Sequence, residues 1–154
     1  IHHHWVNSGE YIQPTDDSIK RIIDSWRGSR PTLHYSYSRN EHLPQGFKHD
    51  NFPNMEELLA LGCKKQKLRA HSDYYPNAVV NEWALSFNDN FDIMAEVKYK
   101  NLASIELYNY AVKTGVVQGS AYTHRELDSL TSSKCHAETL PSSQLRKSKV
   151  LLEA

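Results

Sequence analysis

The sequence has little cysteine and no excess of charge of either sign. Its 154 residues include 2 cysteines, and 18 basic residues balance 18 acidic ones, so the formal net charge is zero. Two thiols without metal-ligand spacing exclude a disulfide framework and a cysteine-based zinc site. Because the whole chain carries no net attraction for polyanions, a contact with nucleic acid has to come from a local basic patch. We expect a reducing, intracellular setting, cytoplasmic or nuclear.

Long apolar runs, internal repeats and glycine-rich loops are also missing. No segment approaches the length of a membrane span and no secretory signal is recognised, so we expect no membrane partner. Without a Gly-rich phosphate loop or a nucleophile elbow, the motifs of two common enzyme classes are absent. The 39% hydrophobic and 23% charged content is that of an ordinary folded chain, and the length predicts a single domain over 1–154.

We expect this domain to consist of three parts. We expect a helical and loop extension over 1–50, a core over 55–122 and a C-terminal helical segment over 123–154. Apolar residues at helical spacing indicate the first helix, and they are Ile19, Ile22, Ile23 and Trp26. The adjacent histidines of the opening IHHHW point in different directions on a regular backbone, so we interpret them as a tag remnant or a frayed terminus.

The segment from Tyr75 to Asn101 predicts a β-hairpin. Apolar and polar residues alternate in FDIMAEVKYK, and the run before it places several apolar residues at the same spacing. A three-residue loop, Asn88 to Asn90, brings both apolar sets to one side, with Leu85 opposite Ile93. The predicted fold is therefore α+β or α/β: a mixed β-sheet with a central antiparallel hairpin, flanked by helices.

The same register places charges together on the other side of the hairpin. Glu82 lies directly opposite Glu96, and Lys98 follows one step along the same face. Because like charges opposed across two strands are unfavourable, we expect a cation there, either a lysine or a divalent metal. A solvated face on which Lys98 or Lys100 screens the two carboxylates is the alternative, since surface charges interact weakly in water.

Pro76-Asn77 and Glu96-Val97-Lys98, in this order of elements, resemble the motif of the PD-(D/E)xK nuclease superfamily. The resemblance covers roughly Met55 to Tyr122 and implies a restriction-endonuclease-like core that hydrolyses phosphodiester bonds with Mg²⁺ or Mn²⁺. It assigns the water-activating role to Lys98 and the metal to Glu96, Asn77 and one of Glu56 or Glu57. The hairpin register adds Glu82 as a further candidate ligand.

One position departs from that pattern. Asn77 stands where the superfamily has an aspartate, and a neutral amide oxygen is a weaker ligand for Mg²⁺ than a carboxylate. The resemblance therefore implies an enzyme that is inactive as given, unless Asp73 takes the place of the missing carboxylate.

Basic residues just before the predicted hairpin are the candidate nucleic-acid contacts, and they are Lys64, Lys65, Lys67 and Arg69. An edge strand protected by lysines explains the same residues without a ligand. The expected partners are nucleic acid, DNA before RNA, and a second copy of the chain in a homodimer. Two alternatives to the endonuclease stay open: a non-catalytic interaction or nucleic-acid-binding domain, and a ribonuclease that uses His42 or His49.

Overall fold

The computed structural model describes residues 1–120 and 150–151, and within them the chain forms six α-helices and three short strands. The helices are α1 (His2–Ser8), α2 (Asp17–Ser25), α3 (Met55–Ala60), α4 (Lys65–Leu68), α5 (Ala78–Leu85) and α6 (Lys100–Lys113). The strands are β1 (Thr32–Tyr35), β2 (Asp92–Ala95) and β3 (Val150–Leu151), and a single 3₁₀ turn covers Asn40–His42.

All three described strands are parallel, in the order β1-β2-β3. The register of the central pair places His34 beside Met94 and Tyr35 beside Ala95. Parallel neighbours need a long crossover connection, and here the chain between β1 and β2 contains α3, α4 and α5. The described part of the fold is therefore an open parallel sheet with helical connections.

The predicted antiparallel hairpin is wrong, and with it the mixed sheet and the restriction-endonuclease-like core. The residues expected to form its first strand are helix α5, and the neighbour of β2 is β1. Asn77 begins the helix, because its side chain accepts a hydrogen bond from the backbone N–H of Val80 at 3.1 Å. Such a cap satisfies one of the N–H groups that a helix leaves without a partner.

The sequence of α5 fits two periodicities, which explains the error. The expected strand spacing uses alternate residues, yet the helix buries Val80, Trp83 and Ala84, which lie three and four residues apart. Trp83 is buried as part of this helix. Tertiary packing has overridden the strand preference of the β-branched residues.

The core lies on one face of the sheet. Alternation along the strands buries Leu33 and Tyr35 in β1 and Ile93 and Ala95 in β2. Helix α5 packs on this face, where the hydroxyl group of Tyr35 donates a hydrogen bond to Oδ1 of Asn81 at 2.5 Å. The opposite face carries the polar residues of both strands, so it is the face that positions charged groups.

The opening histidines lie in a helix, so the expectation of a frayed terminus is wrong. Helix α1 buries His2 together with Trp5 and Val6, and it ends at Gly9, whose φ of 82° places it in the left-handed region. Ring atom Nε2 of His2 lies 3.0 Å from the carbonyl oxygen of Leu68. This segment is therefore part of the core.

Two further expectations concern segments outside the sheet core. The basic run expected as an extended strand is helix α4. Most of the C-terminal segment predicted to be helical, 123–154, lies outside the described residues, and its described part is strand β3. Across residues 1–120 and 150–151, no helix has the length and apolar character needed to cross a membrane.

Candidate functional site

Strands β1 and β2 separate at their carboxyl ends. The last hydrogen bond between them runs from the N–H of Glu96 to the carbonyl oxygen of Tyr35 at 2.8 Å. Beyond this bond, Ser72 lies between the segments that continue the two strands. Its N–H donates to the carbonyl oxygen of Tyr37 at 2.8 Å, and its own carbonyl oxygen accepts from the N–H of Lys98 at 3.0 Å. We call this region, the ends of β1 and β2 with the segment 71–73, the carboxyl edge. Open parallel sheets bind ligands at such edges.

A carboxylate between two imidazoles occupies the carboxyl edge. Atom Nδ1 of His34 lies 2.7 Å from Oε1 of Glu96, and Nε2 of His71 lies 3.9 Å from Oε2 of the same carboxylate. We call these three residues the Glu96 cluster. Their side chains are 56% (His34), 29% (Glu96) and 34% (His71) exposed. The cluster is therefore partly buried and remains accessible to a ligand.

The strand register explains why His34 meets Glu96. His34 pairs with Met94, and residues two apart on a strand point to the same side, so Glu96 extends the face on which His34 lies. A carboxylate at Nδ1 favours the tautomer that carries its proton there, which leaves Nε2 as the acceptor nitrogen of the ring. This is the arrangement in which a histidine acts as a base.

His71 is set apart from His34 by its surroundings. Its ring centroid lies 5.5 Å from that of His3 and 6.5 Å from that of His2. Burial lowers the pKa of His71 below its ordinary value of 6.5; the Glu96 carboxylate acts in the opposite direction, and His3 and His34 reinforce the lowering. His71 is therefore mainly neutral at pH 7. In this form its ring has one nitrogen that donates a hydrogen bond and one that accepts.

Two basic residues and the start of a helix follow Glu96 along the chain. Helix α6 begins directly after the carboxyl edge, without a side-chain cap at Tyr99 and without an acidic residue in its first turn. The N–H groups of Lys100 and Leu102 already donate to the carbonyl oxygens of Val97 at 3.2 Å and Tyr99 at 3.0 Å, so this N-terminus contributes mainly the positive end of the helix dipole. Lys98 and Lys100 are exposed at the same place. These features favour an anion.

Of the sequence-predicted residues, Glu96 and Lys98 lie at the carboxyl edge, whereas Asn77 does not join them. Asn77 is fully buried, and its amide nitrogen donates to the carbonyl oxygen of Asn51 at 2.7 Å and to the hydroxyl of Tyr37 at 3.3 Å. Its side-chain oxygen caps α5. Every polar atom of this side chain is thus engaged in structure.

The other expected metal ligands are also apart from Glu96. Glu56 and Glu57 are exposed in the first turn of α3, where Asn54 caps their N–H groups at 2.9 and 3.2 Å. Glu82 lies on α5 and accepts a hydrogen bond from the hydroxyl of Tyr110 at 2.8 Å, so it does not oppose Glu96. Among the residues that the structure describes, no three His, Cys, Asp or Glu side chains form a group that could hold a metal ion. The Mg²⁺ or Mn²⁺ expectation thus has no ligand set in this part of the chain.

The predicted nucleic-acid contacts lie on or beside α4. The side chains of Lys64, Lys65, Lys67 and Arg69 are exposed. The ammonium group of Lys65 donates to the carbonyl oxygen of Asn7 at 3.0 Å. Because α4 ends just before His71, these cations border the carboxyl edge along the chain.

The sequence-based site omitted His34 and His71. His34 lies in strand β1, but its partner Glu96 is 62 residues away in the sequence. Only the parallel pairing of β1 with β2 brings the two together, and the sequence pattern favoured an antiparallel neighbour for β2. The missing signal was therefore the identity of the neighbouring strand.

Comparison with known proteins does not add to this description: no family model matches the chain, and neither do curated proteins or solved structures. The resemblance to the PD-(D/E)xK superfamily thus stays a prediction from a few residues, and the fold that it implies is not the fold of the described chain.

Proposed function

We propose that this chain binds nucleic acid or a nucleotide by its phosphate ester at the carboxyl edge and hydrolyses it by general acid–base catalysis. The observation that carries the proposal is the hydrogen-bonded pair of His34 and Glu96 at the separated ends of two parallel strands. Ion pairs on protein surfaces are common and contribute little. This one differs in its position, since it lies at the edge where open parallel sheets bind ligands.

The geometry of the pair supports a defined role for each residue. Glu96 orients the ring of His34, and Nε2 of His34 takes the proton of the attacking water. The water oxygen forms a bond to phosphorus, the bond from phosphorus to the leaving oxygen breaks, and His34 returns the proton to that oxygen. Such proton transfer contributes about 10²–10⁴-fold in rate.

The cations beside the cluster support the choice of an anionic substrate. Lys98 and Lys100, two and four residues after Glu96 in the chain, are exposed, and the start of α6 adds its partial positive charge. Fixed positive groups stabilise the charge that develops on phosphate oxygens in the transition state. The exposed basic residues on and beside α4 are candidate further contacts for a longer polyanion.

Non-catalytic nucleic-acid binding is the second candidate. The exposed residues Lys64, Lys67 and Arg69 favour it, since they contact phosphates whether or not the Glu96 cluster carries out chemistry. The two candidates differ in one respect: turnover requires His34, whereas binding by the α4 surface does not.

The test is cleavage of end-labelled single- and double-stranded DNA and RNA in the presence of EDTA, between pH 5 and 8. We expect His34→Gln to lower the cleavage rate by about 10²-fold or more, with little change in the affinity for the labelled strand. Glu96→Gln should lower the rate as well, because a neutral amide orients the imidazole less strongly. His4→Gln is the matched control, since His4 is an exposed histidine on α1.

Cleavage that is equal in the His34 and His4 variants contradicts the catalytic role. Binding of the labelled strands without any cleavage favours the second candidate, provided that substitutions on α4 weaken the binding. Absence of both binding and cleavage rejects the two candidates together.

A further inference from the structure

Two exposed tyrosines stack on each other beside the carboxyl edge. The ring centroids of Tyr74 and Tyr99 are 4.7 Å apart with an interplanar angle of 18°, yet the residues remain 39% and 51% exposed. We call them the tyrosine pair. Large aromatic surface is costly to leave in water, and stacking within the pair covers one face of each ring only.

A second stacked pair in the molecule shows what a structural pair looks like. Tyr35 and Tyr75 have ring centroids 4.8 Å apart, also at 18°. Tyr35 is fully buried, and the hydroxyl group of Tyr75 donates to its carbonyl oxygen at 3.2 Å. That pair belongs to the core, whereas the tyrosine pair presents its outer ring faces to solvent.

The backbone fixes the tyrosine pair to the Glu96 cluster. The N–H of Tyr99 donates to the carbonyl oxygen of Asp73 at 3.3 Å, which continues the hydrogen bond between Lys98 and Ser72. Tyr99 lies three residues after Glu96 in one segment, and Tyr74 lies three residues after His71 in the segment hydrogen-bonded to it. The flat ring surface and the charged groups lie at one edge of the sheet.

We propose that the tyrosine pair is the stacking platform for a nucleobase of the ligand whose phosphate binds beside Glu96; the proposal rests on the function proposed above. In a nucleotide, a flat nucleobase is joined through the sugar to the phosphate ester. The structure presents a flat, exposed aromatic surface at Tyr99, which lies between Lys98 and Lys100 in the sequence. Stacking on aromatic side chains is tolerant of base identity. The platform thus selects base-bearing phosphate esters over phosphorylated sugars.

The experiment compares ligands that differ in the base alone. Isothermal titration calorimetry measures binding of adenosine 5′-monophosphate, ribose 5-phosphate and a single-stranded tetranucleotide. We expect the adenosine nucleotide to bind about tenfold tighter than ribose 5-phosphate, as one stacked base would contribute. Tyr99→Leu keeps apolar bulk against Tyr74 and removes the flat ring, so it should abolish this tenfold difference and leave ribose 5-phosphate binding unchanged.

Trp26→Ala is the control, because Trp26 is an exposed aromatic residue that follows helix α2 and is 44% exposed. It should leave both affinities unchanged. A tetranucleotide that binds tighter than the mononucleotide identifies nucleic acid as the source of the base, and equal affinity identifies a free nucleotide.

Three outcomes have separate meanings. Equal affinity for the nucleotide and for ribose 5-phosphate overturns the platform but leaves the phosphate site in place. A base-dependent difference that survives Tyr99→Leu also overturns the platform, because the base then binds elsewhere. Absence of binding by every ligand overturns the proposed function itself. Circular dichroism of each variant establishes that the fold is retained, and Tyr99→Phe, which keeps the ring, should bind as the unchanged chain does.

Discussion

Replacing Asn77 by aspartate separates a structural role for this residue from a metal-binding role. In the structure, Asn77 is fully buried and its amide nitrogen faces the carbonyl oxygen of Asn51 at 2.7 Å. The substitution Asn77→Asp keeps the oxygen that caps α5 but exchanges the donor for a carboxylate oxygen. Two acceptors then face each other without a proton between them, and the new carboxylate itself lies at a position with no exposure to water.

The magnitude follows from these contacts. A buried acceptor left without its donor costs about 1–3 kcal/mol, and an unpaired buried charge costs about 3–5 kcal/mol when one partner of a buried pair is removed. We therefore expect Asn77→Asp to lower the free energy of unfolding by about 3–5 kcal/mol at neutral pH. Burial raises the pKa of such a carboxyl, so the folded state binds its proton more tightly than the unfolded state. The loss of stability should thus shrink as the pH is lowered through the folded pKa.

Urea unfolding followed by tryptophan fluorescence at pH 7.5 and pH 5 measures this effect. Asn54→Asp is the matched control: Asn54 also caps a helix, α3, but it is exposed, and an aspartate there accepts the same two N–H groups. Its free energy of unfolding should change by less than about 0.5 kcal/mol. A cost below about 1 kcal/mol for Asn77→Asp, or a recovery of its stability on addition of Mg²⁺ or Mn²⁺, would refute the buried-cap role of Asn77.

Two further substitutions test the buried polar groups. Burial, the largest cause, lowers the pKa of His2 from 6.5 to about 3, so the unfolded chain takes up a proton first and stability is lost as the pH falls from 6.5 towards 3. The free energy of unfolding should therefore be lower at pH 4.5 than at pH 7.5, and His2→Gln should make this drop smaller by about 2–3 kcal/mol. A drop of the same size in the variant would contradict the burial of His2. Tyr35→Phe should cost about 1–3 kcal/mol in urea unfolding, because it leaves Oδ1 of the buried Asn81 without its donor; a neutral effect would show that this oxygen has another donor.

Local patterns predicted several elements of the fold. The apolar spacing from Ile19 to Trp26 indicates a helix, and α2 is found there. Asn54 followed by two glutamates is a pattern typical of a helix start, and in the structure Asn54 caps α3. The alternation around Ile93 predicts a strand, which is β2. In each case the signal lies within a few residues, where backbone capping and side-chain periodicity act.

The arrangement of these elements depends on contacts that local patterns do not contain. Asn77 was interpreted as the start of a strand and of a metal site, whereas its side chain closes the first turn of a helix. Ile93 pairs with Leu33 and Val150, which are both far away along the chain, instead of with Leu85 nearby. Glu96 was recognised as a candidate site residue, but its partner His34 followed only from that parallel pairing. Non-local strand pairing is the part of the fold that single-sequence periodicity does not specify.

The measurement that tests the ligand site most directly is long-range ¹H–¹⁵N NMR of the imidazole rings, recorded with and without adenosine 5′-monophosphate. The proposed site predicts that His34 carries its proton on Nδ1, that Glu96→Gln weakens this preference, and that the nucleotide shifts the resonances of His34 and His71 but not those of His42 and His49. A proton on Nε2 of His34, together with unshifted His34 and His71 resonances at saturating nucleotide, would contradict a ligand site at the carboxyl edge.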